Sequence, residues 1–356
     1  MKRFNVFKCL ILSFLAIGIF GLKVINVSAE EMGFSVKAIP SERQRDKKQT
    51  YFDLRVTPNT KEVIQVEVQN NTEALMTVLV DTNTAVTNNN GVIDYSQTEP
   101  TFDESLKYPL SKMVDYQSEV PLKAKESKVI DIAINIPSEP FDGIILGGIH
   151  FSQKENEDIK KEDSSVQVKN KFSYVVGIRL SENDNELKPH VNLLEVSAGQ
   201  KNYRNTILAT LQNTEAQILN GMIVEAYVYE EKNTKEALFY EKSENLEMAP
   251  NSSFEFGIST VNKPFKAGKY LLKMTVTTKG ETFEFSEPFE IKSVEAKKYN
   301  EEAVELVEQK NDNKILLMTI IVLSLVIIIL IGWLFVKKQQ EKKRKRQRKL
   351  KKKTHR

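Results

Sequence analysis

Hydrophobic and polar residues alternate in short stretches along much of the chain. Residues 64–68 and 130–136 show the pattern most clearly, with an apolar side chain at every second position. A period of two is typical of a β-strand that buries one face and exposes the other. The same alternation occurs at 76–80, 172–180, 222–228, 254–258, 270–276 and 283–285. We therefore predict an all-β fold of half-buried, antiparallel strands.

Turn-forming residues separate these strands. The turns are Pro58-Asn59, 88–91 (Asn-Asn-Asn-Gly), Pro250-Asn251, Ala267-Gly268 and Lys279-Gly280. Proline fixes φ at a value that suits turns, whereas Asn and Gly tolerate positive φ. Short strands at this spacing predict two immunoglobulin-like β-sandwiches.

A charged segment, 152–170, divides the strands into two groups. Its composition suits either an interdomain linker or a long exposed hairpin loop. We place the domain boundary there, so that the first sandwich covers 30–151 and the second covers 171–292. Each is long enough to bury its own core.

One short motif supports the sandwich prediction in the second domain. Gly268 and Tyr270 begin an alternating strand in a way similar to a tyrosine corner, in which the phenol hydroxyl hydrogen-bonds to upstream backbone. A glycine turn followed by a core tyrosine is the alternative.

The N-terminal apolar segment has the features of a secretory signal peptide. Lys2, Arg3 and Lys8 precede an apolar run at 9–22, and small residues lead to Ala29. We predict a signal peptide at 1–29 that is cleaved after Ala29. An uncleaved anchor is the alternative, although Lys23 interrupts the run early for a membrane span.

The C-terminal apolar segment predicts a membrane span. From Ile315 to Val336 there is no charged residue, and 22 residues make a helix of about 33 Å, enough to cross a bilayer. Trp333 lies near one end, where the membrane interface favours an indole ring. Residues 293–314 would then form a stalk, either a short helix or a disordered spacer.

Charge is strongly segregated, although the formal net charge is only +3. The segment 337–356 holds 13 bases and one acid, whereas 30–313 carries a net charge of −14. Basic residues beside a span remain in the cytoplasm, so we predict a single-pass plasma-membrane protein whose ectodomain, 30–313, faces outside. The basic tail also favours anionic membrane lipid as a partner. An acidic ectodomain gives no support for nucleic-acid binding.

The chemistry-bearing residues disfavour an enzyme. Cys9 is the only cysteine and lies in the predicted signal peptide, which excludes thiol nucleophiles, thiolate metal sites and disulfides from the mature chain. The three histidines are His150, His190 and His355, and there is no G-x-S-x-G motif. We expect no catalytic residue, no metal site and no cofactor.

Six motifs, taken in order, resemble the WxL-interacting proteins of low-GC Gram-positive bacteria. Those of the first domain are Tyr51-Phe52-Asp53, 85–95 (AVTNNNGVIDY) and 141–149 (FDGIILGGI). Those of the second are 211–213 (LQN), 248–254 (MAPNSSF) and 267–270 (AGKY). The order of signal, two sandwiches, span and basic tail matches the family too.

The resemblance implies a surface-anchored adaptor. Its first domain would bind peptidoglycan, its second host extracellular-matrix proteins, and its partners would include secreted WxL-domain proteins. One strand departs from the family, because Phe283-Glu284-Phe285 stands where an aromatic-rich strand with Trp is expected.

Particular residues of these motifs are candidates for ligand binding or for backbone geometry. The ligand-binding candidates are Tyr51, Asp53, Asn90, Asp94, Tyr95 and Asp142, because sugars offer an apolar face and many hydroxyls. The structural candidates are Gly91, Gly143, Gly147, Gly148, Pro250, Asn251, Gly268 and Tyr270. Gly147-Gly148 indicates either a bulge or the close approach of another group. Local capping by Asp and Asn, and core packing by Tyr, are the alternative roles for the first set.

Two other functions are compatible with the sequence. A PapD-like assembly chaperone would bind partners by β-augmentation, with 64–68 as a candidate edge strand. A membrane-bound hydrolase is the other alternative.

Overall fold

The computed structural model describes residues 33–155, 172–306 and 312–353. The predicted signal peptide, its cleavage site and most of the charged segment 152–170 lie outside these ranges. Within them the chain is mostly β-structure, which confirms the predicted all-β class with one C-terminal apolar helix.

The first sandwich contains eleven of the described strands. They are β1 Phe34–Ile39, β2 Phe52–Arg55, β3 Lys61–Asn70, β4 Met76–Thr84, β5 Val86–Thr87, β6 Ile93–Asp94, β7 Val114–Tyr116, β8 Glu119–Leu122, β9 Ser127–Asn135, β10 Ile145–Gln153 and β11 Ser173–Ser181. A sheet of order β1-β3-β9-β7 lies opposite a sheet of order β2-β11-β10-β4-β8, and β5 pairs with β6. Alternate side chains of the two sheets, among them Ile132, Ile149 and Phe151, fill the core between them.

The second sandwich contains seven described strands and a helix. They are β12 Val191–Lys201, β13 Arg204–Asn213, β14 Leu219–Glu230, β15 Phe239–Met248, β16 Ser252–Ser259, β17 Gly268–Thr278, β18 Glu281–Ile291 and α1 Ser293–Glu302. The sheets have the orders β12-β13-β16 and β15-β14-β17-β18. Their core includes Ile207, Val224, Leu272 and Val276.

The two sandwiches share one topology. Strands β1, β3, β4, β8, β9, β10 and β11 correspond in order to β12 through β18, and equivalent strands have equivalent neighbours. The turns after β3 and β13 also match in detail. Asn70 donates to the carbonyl oxygens of Ala74 and Lys123, both at 2.8 Å. Asn213 donates in the same way to Gln217 at 2.8 Å and Ala249 at 2.9 Å.

Strand pairing places the domain boundary later than the charge pattern predicts. β11 pairs antiparallel with β10 and parallel with β2, so Ser173–Ser181 belongs to the first sandwich, not to a second domain at 171–292. The charged segment therefore lies in sequence between two paired strands of one sheet, β10 and β11. Alternation identified the strand, but the partner of a strand depends on residues distant in sequence.

The predicted edge strand is also wrong. β3, which contains 64–68, pairs with β1 on one side and β9 on the other, so it is a central strand of its sheet. A central strand with one buried face alternates just as an edge strand does, and the pattern cannot separate them.

The first part of the predicted stalk packs on the second sandwich. Ala296 of α1 is buried in the second core. Asn300 accepts hydrogen bonds from the amide of Phe265 at 2.8 Å and the side chain of Asn205 at 2.7 Å. Hydrogen bonds of side-chain amides form much of this contact. The spacing of apolar residues therefore did not predict it.

One long helix, α2 Asp312–Lys353, follows and contains Ile315, Trp333 and Val336. Over Met318–Arg344 it is long and apolar enough to cross a membrane, and none of its apolar window is buried against the sandwiches. The helix continues into the basic tail, where the Lys337 amine lies 5.0 Å from the Trp333 ring.

Candidate functional site

The two sandwiches contact each other directly. Ala85 and Leu146 of the first pack on Ala249 of the second in a small apolar cluster. Thr87 accepts a hydrogen bond from the amide of Ala249 at 2.9 Å, and its hydroxyl lies 2.6 Å from that of Ser252. Both hydroxyls are buried, so this is a packed interdomain interface.

The turn 88–91 belongs to that interface. Asn89 donates to the Glu255 carboxylate at 3.0 Å and accepts from the Glu255 amide at 3.1 Å. Gly91 has a φ of +69°, its carbonyl oxygen accepts from Glu247 at 2.7 Å, and a Cβ there would lie 2.8 Å from Leu246. Asn90 itself is exposed. The main role of the turn 88–91 is thus to form a contact between the two domains.

Asp142 and Gly143 fix the connection between the sandwiches. The Asp142 carboxylate accepts from Asn183 and Asn185, both at 2.8 Å, and holds the connecting segment against the first domain. Gly143 has a φ of +76°, and a Cβ there would overlap the carbonyl oxygen of Ala216. Position 143 therefore requires glycine.

Gly147 and Gly148 are explained by close packing. A Cβ on Gly147 would overlap Leu110, which lies in a 3₁₀ turn, Leu110–Lys112. A Cβ on Gly148 would lie 3.2 Å from the Tyr95 ring. The β10 register is continuous on both sides, so these glycines admit neighbouring side chains and form no bulge.

Two glycines lie side by side on the outer face of the five-stranded sheet, and the surface at one of them, Gly177, is open. Gly177 of β11 pairs with Gly148 of β10, and Tyr51 lies beside Gly177 on the other flank. Tyr51 is 37% exposed, and Tyr95 covers Gly148. A Cβ at Gly177 would meet only the Cβ of Tyr51, at 3.6 Å. Packing therefore does not require glycine at 177, and a shallow strip remains open between two tyrosines. We name it the Gly177 strip.

Two further candidates, Asp94 and Tyr95, are neighbours in sequence, and Tyr95 borders the Gly177 strip. Burial raises the pKa of the Asp94 carboxyl, but hydrogen bonds from Ser96 and Gln97 outweigh burial and hold the pKa below its usual value. Asp94 thus caps its own turn. Burial raises the pKa of Tyr95, and the nearby Glu247 and Tyr51 raise it further. The Tyr95 hydroxyl therefore remains a neutral hydrogen-bond donor at physiological pH.

A second aromatic surface, absent from the sequence predictions, lies on the outer face of β14 and β15. The rings of Tyr227 and Tyr240 are 4.8 Å apart, and those of Tyr227 and Tyr229 are 6.5 Å apart. Glu225 accepts from the hydroxyls of Tyr227 and Tyr240, and its hydrogen bond raises the pKa of Tyr227 to about 12. The sequence feature that indicates this surface is a pair of tyrosines, Tyr227 and Tyr229, at the outward-facing positions of an alternating strand. We name this set the tyrosine surface.

The remaining motif residues stabilise the second sandwich. Tyr270 donates to the carbonyl oxygen of Lys266 at 2.7 Å, which is the contact expected of a tyrosine corner. Asn251, which follows Pro250, has a φ of +47° and donates to the carbonyl oxygen of Thr214 at 2.7 Å.

The histidines of the sandwiches are apart from one another. His150 lies on the outer face of β10, across from Asp81 and Val175. His190 meets the edge of the Phe283 ring, with the centroids 6.1 Å apart. In the part of the chain that the structure describes, no three His, Cys, Asp or Glu side chains are grouped to hold a metal ion.

Comparison with known proteins agrees with this architecture. Residues 34–153 match the WxL Interacting Protein peptidoglycan binding domain, and residues 163–301 match the WxL Interacting Protein host binding domain. Both are binding domains, so the chain is a two-domain surface binding protein. It belongs to the family of WxL-interacting proteins. The second match begins before β11, although β11 pairs within the first sandwich.

No curated protein matches the chain. Solved structures similar to it include the class 5 fimbriae chaperone CfaA, with 14% identity over 71% of this chain and 98% of that chain, at a TM-score of 0.26. The YadV chaperone has 8% identity over 72% of this chain and 100% of that chain, at a TM-score of 0.29. A PapD-like domain of human CEP192 has 9% identity over 43% of this chain and 87% of that chain, at a TM-score of 0.26. Scores this low support no conclusion about function.

Proposed function

We propose that the protein is a membrane-anchored, non-enzymatic adaptor that holds peptidoglycan with its first domain and protein partners with its second. The order of the two family domains before a single apolar helix and a basic tail supports this assignment. The α2 helix anchors the chain, and the basic residues keep its C-terminus in the cytoplasm. Both sandwiches then face the cell wall.

The Gly177 strip carries the proposal for peptidoglycan. Tyr51, Tyr95 and Gly148 lie within residues 34–153, the range matched to peptidoglycan binding, and the two tyrosines stand on both sides of Gly177. Gly177 itself falls in the range matched to the host binding domain, but its strand, β11, pairs with β10 in the first sandwich. A sugar ring can lay its apolar face on tyrosine while its hydroxyls bond to polar groups nearby. Tyr51 and Tyr95 thus combine with Gly177 in one surface, whereas Asn90, Asp94 and Asp142 have capping or interdomain positions.

Valine in place of Gly177 tests this site. The new side chain fills the strip, while the backbone stays a β-strand with room for the Cβ. We expect full-length protein in mild detergent to bind purified sacculi, and Gly177→Val to bind about fivefold or more weakly, as for loss of one interface anchor. Cosedimentation over a range of sacculus concentrations measures the change.

Ser173→Val is the matched control, because Ser173 is exposed on the same face of β11 beyond the strip. It should bind as the wild type does. Equal binding by Gly177→Val would move the site elsewhere on the domain. Wild-type protein that stays in the supernatant would contradict peptidoglycan binding altogether.

The tyrosine surface supports the second half of the adaptor proposal. Exposed tyrosines supply large contact area with little loss of conformational entropy, and Tyr240 is 48% exposed. We propose that secreted WxL-domain proteins, or host matrix proteins, contact the second domain here.

Alanine at Tyr227 and Tyr240 should weaken partner capture about tenfold, because aromatic anchors dominate interface energies. Capture of a WxL-domain protein and of matrix protein by immobilised full-length protein measures this effect. Tyr203→Ala is the control, since Tyr203 is 70% exposed on a turn of the same domain. A similar loss with Tyr203→Ala, or no loss with the double variant, would rule out the tyrosine surface as the contact.

A further inference from the structure

A cleft of about 1070 Å³ lies between the two sandwiches, next to the Gly177 strip. Asp53 and Arg179 line it from the first domain, the connecting segment forms one wall, and Lys279 lines it from the second domain. Asp53 follows Tyr51 by two residues and Arg179 follows Gly177 by two, so the cleft begins about 7 Å along the strands from the strip. Clefts at domain interfaces are common ligand sites.

Of the six buried side-chain polar atoms without a hydrogen-bond partner in the described residues, three belong to residues that line this cleft. Within the described residues, Oδ1 of Asp53, Nε of Arg179 and Oγ of Ser181 are buried and make no hydrogen bond. Asp53 is 8% exposed and Ser181 only 1%, and both line the cleft. A buried polar group without a partner is costly, so a cluster of them points to a ligand that completes the hydrogen bonds.

The two domains each bring a cation to the cleft that carboxylates do not fully neutralise. Asp184 pairs with both Arg45 and Arg55. Arg179, in contrast, has only a long 3.5 Å contact with Asp53. Lys279 donates to the amide oxygen of Gln217 at 2.7 Å and makes no ion pair within the described chain.

The charges of Arg179 and Lys279 act on each other across the cleft. Partial burial lowers the pKa of Lys279, and the Arg179 guanidinium lowers it further, against a smaller opposing effect of Glu186. An anionic group between the two cations would relieve this repulsion and bond to both.

We infer that the cleft binds the stem peptide of peptidoglycan, with a peptide carboxylate between Arg179 and Lys279 and a peptide N–H on Asp53. A peptide fits better than a phosphate, because the cleft offers an acceptor, Asp53, beside its cationic donors. Continuity with the Gly177 strip lets one ligand place its sugar on the tyrosines and its peptide in the cleft. The inference rests on the proposed peptidoglycan function and names the part of that polymer recognised by both domains.

The test uses Lys279→Asn in full-length protein. Lys279 has a φ of +50°, and Asn tolerates that conformation, so the change removes the amine with little strain. Lys125→Asn is the matched control, because Lys125 also occupies a turn with a φ of +57° but lies in the first domain, away from the cleft. The probes are purified sacculi, a synthetic stem peptide with free carboxylates, and the same peptide with its carboxylates amidated.

Titration calorimetry should show the free-carboxylate peptide binding wild type and Lys125→Asn equally, and Lys279→Asn about tenfold more weakly. The amidated peptide should bind wild type as weakly as Lys279→Asn binds the free acid. Equal affinity of Lys279→Asn and wild type for the free acid would overturn the inference. So would tight binding of the amidated peptide.

The inference and the proposed function fail in different ways. Sacculus binding without stem-peptide binding overturns the cleft assignment and leaves the Gly177 strip in place. Absence of binding to both sacculi and peptide overturns the two together. Tight binding of an acidic peptide unrelated to peptidoglycan, with the stem peptide inactive, would assign the cleft to a protein partner instead.

Discussion

Alanine in place of Gly143 is expected to separate the two sandwiches. Gly143 has a φ of +76°, which costs an L-residue about 1–2 kcal/mol. The new Cβ would also overlap Ala216, whose carbonyl oxygen accepts the Ile144 amide at 2.7 Å. Loss of that hydrogen bond adds about 1 kcal/mol. Domain docking should therefore weaken by about 2–3 kcal/mol.

Hydrogen exchange at the Ile144 amide measures this change directly. An opening free energy lower by about 2 kcal/mol corresponds to exchange about 30-fold faster. Gly280→Ala is the matched control, since Gly280 has a φ of +81° but a Cβ there would have no atom within 4 Å. It carries the same conformational cost without the overlap. Unchanged Ile144 exchange in Gly143→Ala would contradict a tight interface at this position.

Removal of residues 312–356 is expected to release the protein from the membrane almost completely. The apolar part of α2 accounts for on the order of −5 kcal/mol of insertion free energy or better. Protoplasts, which lack the wall, should retain the full chain and lose the truncated one to the medium. Immunoblotting of the membrane and medium fractions measures the partition.

A chimera that carries 22 alternating Leu and Ala residues in place of 315–336 should be retained, because only length and apolarity are required. Truncated protein that stays with the membranes would show that another segment anchors it. Protease added to intact protoplasts tests the orientation. It should digest both sandwiches and spare the basic tail, and the opposite pattern would place the sandwiches in the cytoplasm.

Alternation of apolar residues located most strands but did not assign their neighbours. Residues 64–68 and 172–180 both alternate correctly, yet the first belongs to a central strand and the second to the sheet of the first domain. A period of two reports which face is buried. It carries no information on which strand lies alongside.

The short motifs identified the family but assigned few of its ligand contacts. Asn89 and Gly91 contact the second domain, and Asp142 holds the connecting segment. Gly177, which forms the floor of the Gly177 strip, belongs to none of the motifs. A glycine required by packing and a glycine that leaves space open look identical until their neighbours are known.

The sequence alone determined the long apolar C-terminal helix, the charge segregation, the β class and the absence of cysteine from residues 30–356. These properties depend on local composition and on periodicity within a few residues. Only the tertiary structure decided where the first sandwich ends, that the two sandwiches pack together, and that Arg179 and Lys279 face one cleft. Those outcomes depend on contacts between residues roughly a hundred positions apart, whose free energies no local pattern records.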